Sequence, residues 1–282
     1  VSTSVFDALG RVTSAKDAAG TTTTTTYTPA GAGIPVSAKV IEQATDSLTF
    51  ITTTYFDPLW GRSRKIVDTN NKITEQVYDD LGRLVKVWLP TQSRAAGDSP
   101  SMVHSYRLSA TTPSWSASGG LRGDGETYST TYTLYDAHLR SRQVQTPSST
   151  QGRIISETFY DARGQEAVTY ADVYDSITAP SGTLMATANA QAPAETRTTF
   201  DGAGRAMTST FLVHGDVKWS TTTSYTGDSV ATTAGEGGSA AREITNALGQ
   251  VVERRQYAGT RPTGEYLSTT FAYTPSGEQA KI

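Results

Sequence analysis

The chain has 282 residues, 36% hydrophobic and 18% charged, with 24 basic residues against 27 acidic and a net charge of -3. That apolar share is thin for one conventional core, the balanced charge without a basic block argues against nucleic acid and anionic membranes as partners, and no apolar run is long enough to insert into a bilayer. With no cysteine, disulfides and thiolate metal sites are excluded.

In chain order, one short string recurs: an aromatic residue, Asp, two further residues, Gly and often Arg. It stands first at Phe6-Asp7-Ala8-Leu9-Gly10-Arg11, then with one extra residue at Phe56-Asp57-Pro58-Leu59-Trp60-Gly61-Arg62, and most fully at Tyr78-Asp79-Asp80-Leu81-Gly82-Arg83. It continues at Tyr135-Asp136-Ala137-His138-Leu139-Arg140, where Leu139 takes the Gly position, at Tyr160-Asp161-Ala162-Arg163-Gly164-Gln165, and at Phe200-Asp201-Gly202-Ala203-Gly204-Arg205. Thr245-Asn246-Ala247-Leu248-Gly249-Gln250 and the segments Tyr27 to Gly31 and Tyr273 to Gly277 keep the skeleton with substitutions. Those substitutions suit a type I turn: Asp or Asn first, bonding the backbone two residues on, Pro tolerated second, and Gly fourth, where a following bulge demands φ > 0. The aromatic therefore ends one strand and the Arg opens the next.

Between the turns the chain is rich in Thr, Val, Ile, Tyr and Ser, and Thr21 to Thr26, Lys72 to Tyr78 and Leu84 to Leu89 read as strands. In Lys72 to Tyr78, Ile73 and Val77 share one face, while Thr74, Gln76 and Tyr78 share the other. The motif aromatics at 6, 27, 56 and 78 are separated by 21, 29 and 22 residues, the spacing of a stacked-repeat protein. No sustained helical periodicity exists, so helix is expected to be scarce. The fold class is thus all-β: tandem antiparallel hairpins in a curved open sheet, each burying surface against its neighbours. Residues 1–282 read as a single array and as a piece of a longer chain. Pro90 to Thr127, broken by Pro90, Pro100, Pro113 and Gly119-Gly120, is expected to be a long inserted loop or an irregular hairpin around Met102 to Leu108, and Tyr174 to Pro193 a second insertion.

No catalytic residue, metal ligand or cofactor is expected. His104, His138 and His214 lie in no ligand spacing, and no Gly-x-Ser-x-Gly elbow frames a nucleophile. His214-Gly215-Asp216 reads as a hairpin turn joining Phe211-Leu212-Val213 to Val217-Lys218-Trp219. Arg122-Gly123-Asp124 matches an integrin-binding tripeptide in form, but three residues recur by chance; Asp80 is a solvated turn position, and Gly235 to Gly238 is a turn without phosphate-loop context. Tyr occurs 14 times and Trp four. The motif aromatics are expected to form a ladder, each packing on its equivalent in the next hairpin, with Asp and Arg bonding along it. Aromatics on an exposed face, with the Pro90 to Thr127 loop, would instead suit a carbohydrate- or receptor-binding adhesion module.

The motif resembles that of the YD-repeat family, which comprises bacterial Rhs proteins, wall-associated polymorphic toxins, the C components of insecticidal toxin complexes, and animal teneurins. The resemblance implies hairpins paired into a long spiralling sheet that closes as a shell, a β-solenoid of sorts, around a C-terminal toxin. The structural motif residues would be Phe6, Asp7, Gly10, Arg11, Phe56, Asp57, Gly61, Arg62, Tyr78, Asp79, Gly82, Arg83, Tyr135, Asp136, Arg140, Tyr160, Asp161, Gly164, Phe200, Asp201, Gly204 and Arg205. Partners would be flanking repeats and a C-terminal effector of the same polypeptide, with a cell-surface glycan as the adhesion alternative, and the location secreted or on a bacterial surface. Toxin-type members end their repeats with an Asp-Pro-x-Gly-Leu element that directs self-cleavage. Asp57-Pro58-Leu59-Trp60-Gly61 is the nearest string here, and its extra residue and repeat context make it a turn.

Overall fold

Each Asp-x-x-Gly-Arg string closes the same turn. At Phe6-Asp7, the Gly10 amide donates to the Asp7 carbonyl (3.0 Å), the Asp7 amide donates to the Arg11 carbonyl (2.9 Å), and Gly10 takes φ 76°. Pairing then slips by one residue beside the aromatic, with Phe6 opposite Val12, which is the bulge that a left-handed glycine permits. The same slip sets Tyr78 opposite Leu84, Tyr135 opposite Ser141, Tyr160 opposite Glu166, Phe200 opposite Ala206 and Thr245 opposite Val251.

The computed structural model describes residues 2–31, 33–45 and 47–282, and is all-β. It forms two units, residues 1–107 with 116–131, and residues 108–115 with 132–282. In the first unit run β1 (Thr3–Phe6), β2 (Val12–Lys16), β3 (Thr22–Thr28), β4 (Ser37–Thr45), β5 (Leu48–Phe56), β6 (Ser63–Val67), β7 (Ile73–Tyr78), β8 (Leu84–Trp88) and β9 (Met102–Arg107), each antiparallel to the next. Next come β10 (Trp115–Leu121), which pairs with β9, and β11 (Tyr128–Tyr135). The second unit continues through β12 (Ser141–Pro147), β13 (Arg153–Tyr160), β14 (Glu166–Asp175), β15 (Ala194–Phe200), β16 (Ala206–Val213), β17 (Asp216–Tyr225), β18 (Ser229–Thr232), β19 (Ala241–Thr245), β20 (Val251–Tyr257) and β21 (Tyr266–Thr270), again each antiparallel to its successor. A separate hairpin, β22 (Ala272–Tyr273) with β23 (Gln279–Lys281), follows.

Of the two expectations for Pro90 to Thr127, the long inserted loop does not describe it and the irregular hairpin does, with its first strand at Met102–Arg107. Residues 90–101 are a loop with one 3-10 turn at Arg94–Ala96, but β9 and β10 lie in the sheet. The glycines that suggested a break serve a strand: a Cβ on Gly119 would lie 2.8 Å from Thr130 Oγ1, so Gly119 lets neighbouring side chains close over β10. Residues 176–193, between β14 and β15, hold no strand and one 3-10 turn at Asn189–Gln191. Turns on the opposite sheet edge also escaped the motif: Asp17 and Asp68 cap β2–β3 and β6–β7 by the same bonds, with no aromatic before them.

The apolar core is small, as the composition implied. Ile155, Val173 and Ala192 form its buried cluster, with Tyr170 and Met185 against it. Polar side chains are as deeply buried: Gln143 and Gln145 are 0% exposed and Glu195 1%. Such groups are tolerated only where hydrogen bonds replace water.

Candidate functional site

The motif side chains build a clasp between successive hairpins. At the turn, the Asp carboxylate does the local work. Asp79 Oδ1 accepts the amides of Leu81 (3.0 Å) and Arg83 (2.8 Å), and Oδ2 accepts Arg83 Nε (2.8 Å). Asp7 with Arg11, Asp136 with Arg140, and Asp201 with Arg205 repeat the pattern. The amide of the Arg four residues on, and then its guanidinium, hold the carboxyls of Asp7, Asp79 and Asp201 below the usual carboxylate range. Asp136 is lowered too, its amide and guanidinium bonds to Arg140 outweighing the opposing effect of burial.

The Arg held this way then meets the tyrosine of the following hairpin. Arg11 lies 4.6 Å over the Tyr27 ring, Arg83 4.6 Å over Tyr106, Arg140 4.0 Å over Tyr160 and Arg205 4.2 Å over Tyr225. Each tyrosine hydroxyl donates to the carbonyl just after that Arg: Tyr27 to Val12 (3.1 Å), Tyr106 to Leu84 (3.0 Å), Tyr160 to Ser141 (2.9 Å) and Tyr225 to Ala206 (2.9 Å). A hydroxyl bond of this kind contributes on the order of 1 kcal/mol and a partly exposed cation–π contact about 0.5–1 kcal/mol, so one clasp stabilises a hairpin junction by roughly 1–2 kcal/mol.

This corrects the expected aromatic ladder. Ring pairs among the described residues include Trp115–Tyr132, Phe159–Tyr170, Phe211–Trp219 and Tyr257–Tyr266, and none of these four joins two motif aromatics. A tyrosine placed one hairpin on finds an arginine and a carbonyl beneath it because the bulge advances the chain by one residue. Sequence reading missed Tyr106 as a clasp residue. Its signal was its place in a Val-His-Ser-Tyr alternation, obscured by the prolines around it.

The variants follow the same logic. At Phe56-Asp57 the extra residue lengthens the turn: Gly61 donates to the Asp57 carbonyl (2.8 Å), and Asp57 Oδ1 accepts Leu59 and Trp60 amides. Arg62 then sits 5.8 Å over Tyr78, whose hydroxyl still reaches the Ser63 carbonyl (2.7 Å), and Trp60 covers Gly82 closely enough that a Cβ there would lie 2.7 Å from the indole. Where the next aromatic is Phe200, which has no hydroxyl, Gln165 replaces Arg and donates to the Gly204 carbonyl (2.7 Å). Leu139 adopts φ 60° to close the Asp136 turn without glycine. Phe6 lies in the first strand and is 57% exposed.

The other singled-out residues have local roles. His104 Nδ1 and Ser118 Oγ lie 2.5 Å apart across β9 and β10. The His138 amide donates to Asp136 within the turn, and His214-Gly215, at φ 50° and 85°, is the two-residue loop of the β16–β17 hairpin. In Arg122-Gly123-Asp124, both Asp124 oxygens cap the turn through the Glu126 and Thr127 amides and the Thr127 hydroxyl, which lowers its pKa to about 2, chiefly through the hydroxyl. Among the described residues, no three His, Cys, Asp or Glu side chains cluster closely enough to hold a metal ion.

No family model and no curated protein sequence matches the chain. Among solved structures, 99% of the chain aligns with TcdB2-TccC3 at a TM-score of 0.60 and 14% identity, and with TcdB2-TccC3 lacking its hypervariable C-terminal region at 0.63 and 13%. The chain spans 15% and 17% of those chains. At such identity the likeness shows a shared fold of paired hairpins.

Proposed function

We propose that this chain is a wall segment of an Rhs-type shell that encloses and carries a C-terminal effector, and that it performs no chemistry itself. The observation that carries the reading is the clasp: the Asp, Arg and Tyr of the motif lock hairpin to hairpin, so the repeat makes continuous sheet. The resemblance of the motif to YD repeats supports it, as does the fold likeness to TcdB2-TccC3, in which a hypervariable C-terminal region is named. Flanking repeats and the effector would be its partners, and a bacterial secreted or surface location follows from the same reading.

Of the four tryptophans, Trp60 and Trp219 are 45% and 44% exposed, as the adhesion alternative needs, but each already lies against a neighbour. Trp88 is 7% exposed and donates to the Asp98 carbonyl, Trp115 meets Tyr132, Trp219 stacks on Phe211, and Trp60 covers Gly82. Expression of the natural polypeptide containing this chain, with whatever follows it, tests the wall. A C-terminal fragment that co-purifies and resists added protease is expected; a fragment digested as fast as the isolated segment refutes it.

A further inference from the structure

Residues 176–193 cross one face of the second unit as a strap, and two buried glutamines hold it by its backbone alone. Gln143 Nε2 donates to the Met185 carbonyl (2.8 Å) and Gln143 Oε1 accepts the Met185 amide (3.0 Å). Gln145 Nε2 donates to the Thr183 carbonyl (2.8 Å) and Gln145 Oε1 accepts the Ser181 amide (2.8 Å). A primary amide presents the donor and acceptor of a peptide group. Two of them at alternate positions of β12, about 7 Å apart, match the repeat of an extended chain.

The amides are also held by groups outside the strap. Arg153, paired with Asp175 (3.0 Å), donates to Gln145 Oε1 (2.7 Å); Gln145 Nε2 donates to Gln143 Oε1 (2.7 Å); and Gln143 Nε2 donates to Glu157 Oε1 (3.1 Å), which Arg142 also holds (2.7 Å). With Arg153 at one end and Glu157 at the other, a flip of either amide would set donor against donor. Within residues 181–185, two further contacts read the side chains. Met185 packs on the Ile155 cluster, and Gly182 passes Trp115 so closely that a Cβ would lie 2.3 Å from the indole nitrogen. The Thr183 and Leu184 side chains face solvent.

We propose that this face is a binding site for extended polypeptide, of which residues 181–185 are the resident occupant. It would accept other segments that offer an extended backbone with glycine three residues before an unbranched apolar side chain. The site is independent of the shell reading, since it depends on the glutamines whatever the whole protein encloses.

The test replaces 177–191 by a short Gly-Ser bridge and adds a fluorescein-labelled peptide of residues 179–188, with binding read by anisotropy. Saturable binding is expected. A peptide methylated on the Met185 amide nitrogen should bind at least about 10-fold more weakly, and one with Thr183 and Leu184 exchanged for other polar residues within about 3-fold. A folded strapless variant that does not bind, or equal binding of the methylated peptide, overturns the proposal. Should the strapless variant not fold, hydrogen exchange in the intact chain decides. Gln143→Ala should speed exchange of the Met185 amide about 10-fold relative to Ile155, and unchanged protection overturns the proposal.

Discussion

Two turns of the second unit share one backbone shape but differ in charge, in the residue before the turn (Tyr135 against Thr245) and at the glycine position (Leu139 against Gly249). At Asp136, the carboxylate holds Arg140, which lies 4.0 Å over Tyr160. At Asn246, the amide oxygen accepts the Leu248 and Gln250 amides (both 3.0 Å), Asn246 Nδ2 donates to Gln250 Oε1 (2.8 Å), and the Tyr273 hydroxyl reaches the Val251 carbonyl (2.8 Å) with Gln250 in place of Arg. The turn therefore needs an acceptor oxygen, not a charge, and the tyrosine docks without a cation. The Asp–Arg pair adds the ring contact and ties two successive turns through one side chain.

The largest difference is expected at the following glycines. A Cβ on Gly164 would lie 2.9 Å from Arg140 Nη1, whereas one on Gly277 would lie 3.6 Å from Gln250 Nε2, and both glycines have positive φ. Gly277→Ala should cost about 1–2 kcal/mol for the left-handed backbone. Gly164→Ala should cost about 2–3 kcal/mol because it also lifts Arg140 from Tyr160. Equal losses in urea unfolding would separate the arginine from the junction.

Next comes the tyrosine itself. Tyr160→Phe and Tyr273→Phe should each lose about 0.5–1.5 kcal/mol, since both lose one hydroxyl bond and keep the ring. Converting the neutral clasp with Asn246→Asp and Gln250→Arg together should raise stability by up to about 1 kcal/mol, the value of a partly exposed pair and ring contact. The gain should shrink in 1 M salt. Leu139→Gly, which removes the side chain from φ 60°, should stabilise by about 0.5 kcal/mol after the added freedom of glycine in the unfolded chain.

Acid sharpens the same contrast. The folded carboxyls of Asp7, Asp79, Asp136 and Asp201 titrate below the ordinary value of 3.8, so their contribution is full above pH 4 and is lost as pH falls through the lowered values. Replacement of these four by Asn should lower stability at pH 7 and flatten its decline as pH falls below the ordinary carboxylate value, measured by urea midpoints. An undiminished decline would place the acid sensitivity elsewhere.

What the sequence determined is local. Asp, Gly and Arg within six residues fix the turn, the bulge and the strand ends, because the bonds involved span two to four residues; Phe6-Asp7 and Tyr78-Asp79 were legible for that reason. The all-β class followed from turns recurring between Thr- and Val-rich runs. Asp17 and Asp68 close the same turn, yet without an aromatic they do not stand out. Tertiary structure alone decided which residues meet across longer separations. Tyr106 joins Arg83 across an irregular loop, β9 and β10 form despite prolines on either side, and Gln143 grips Met185 from 42 residues away. Those contacts arise where strand register and a returning loop bring an amide to a backbone, and the identity of a glutamine carries no trace of which chain it will hold.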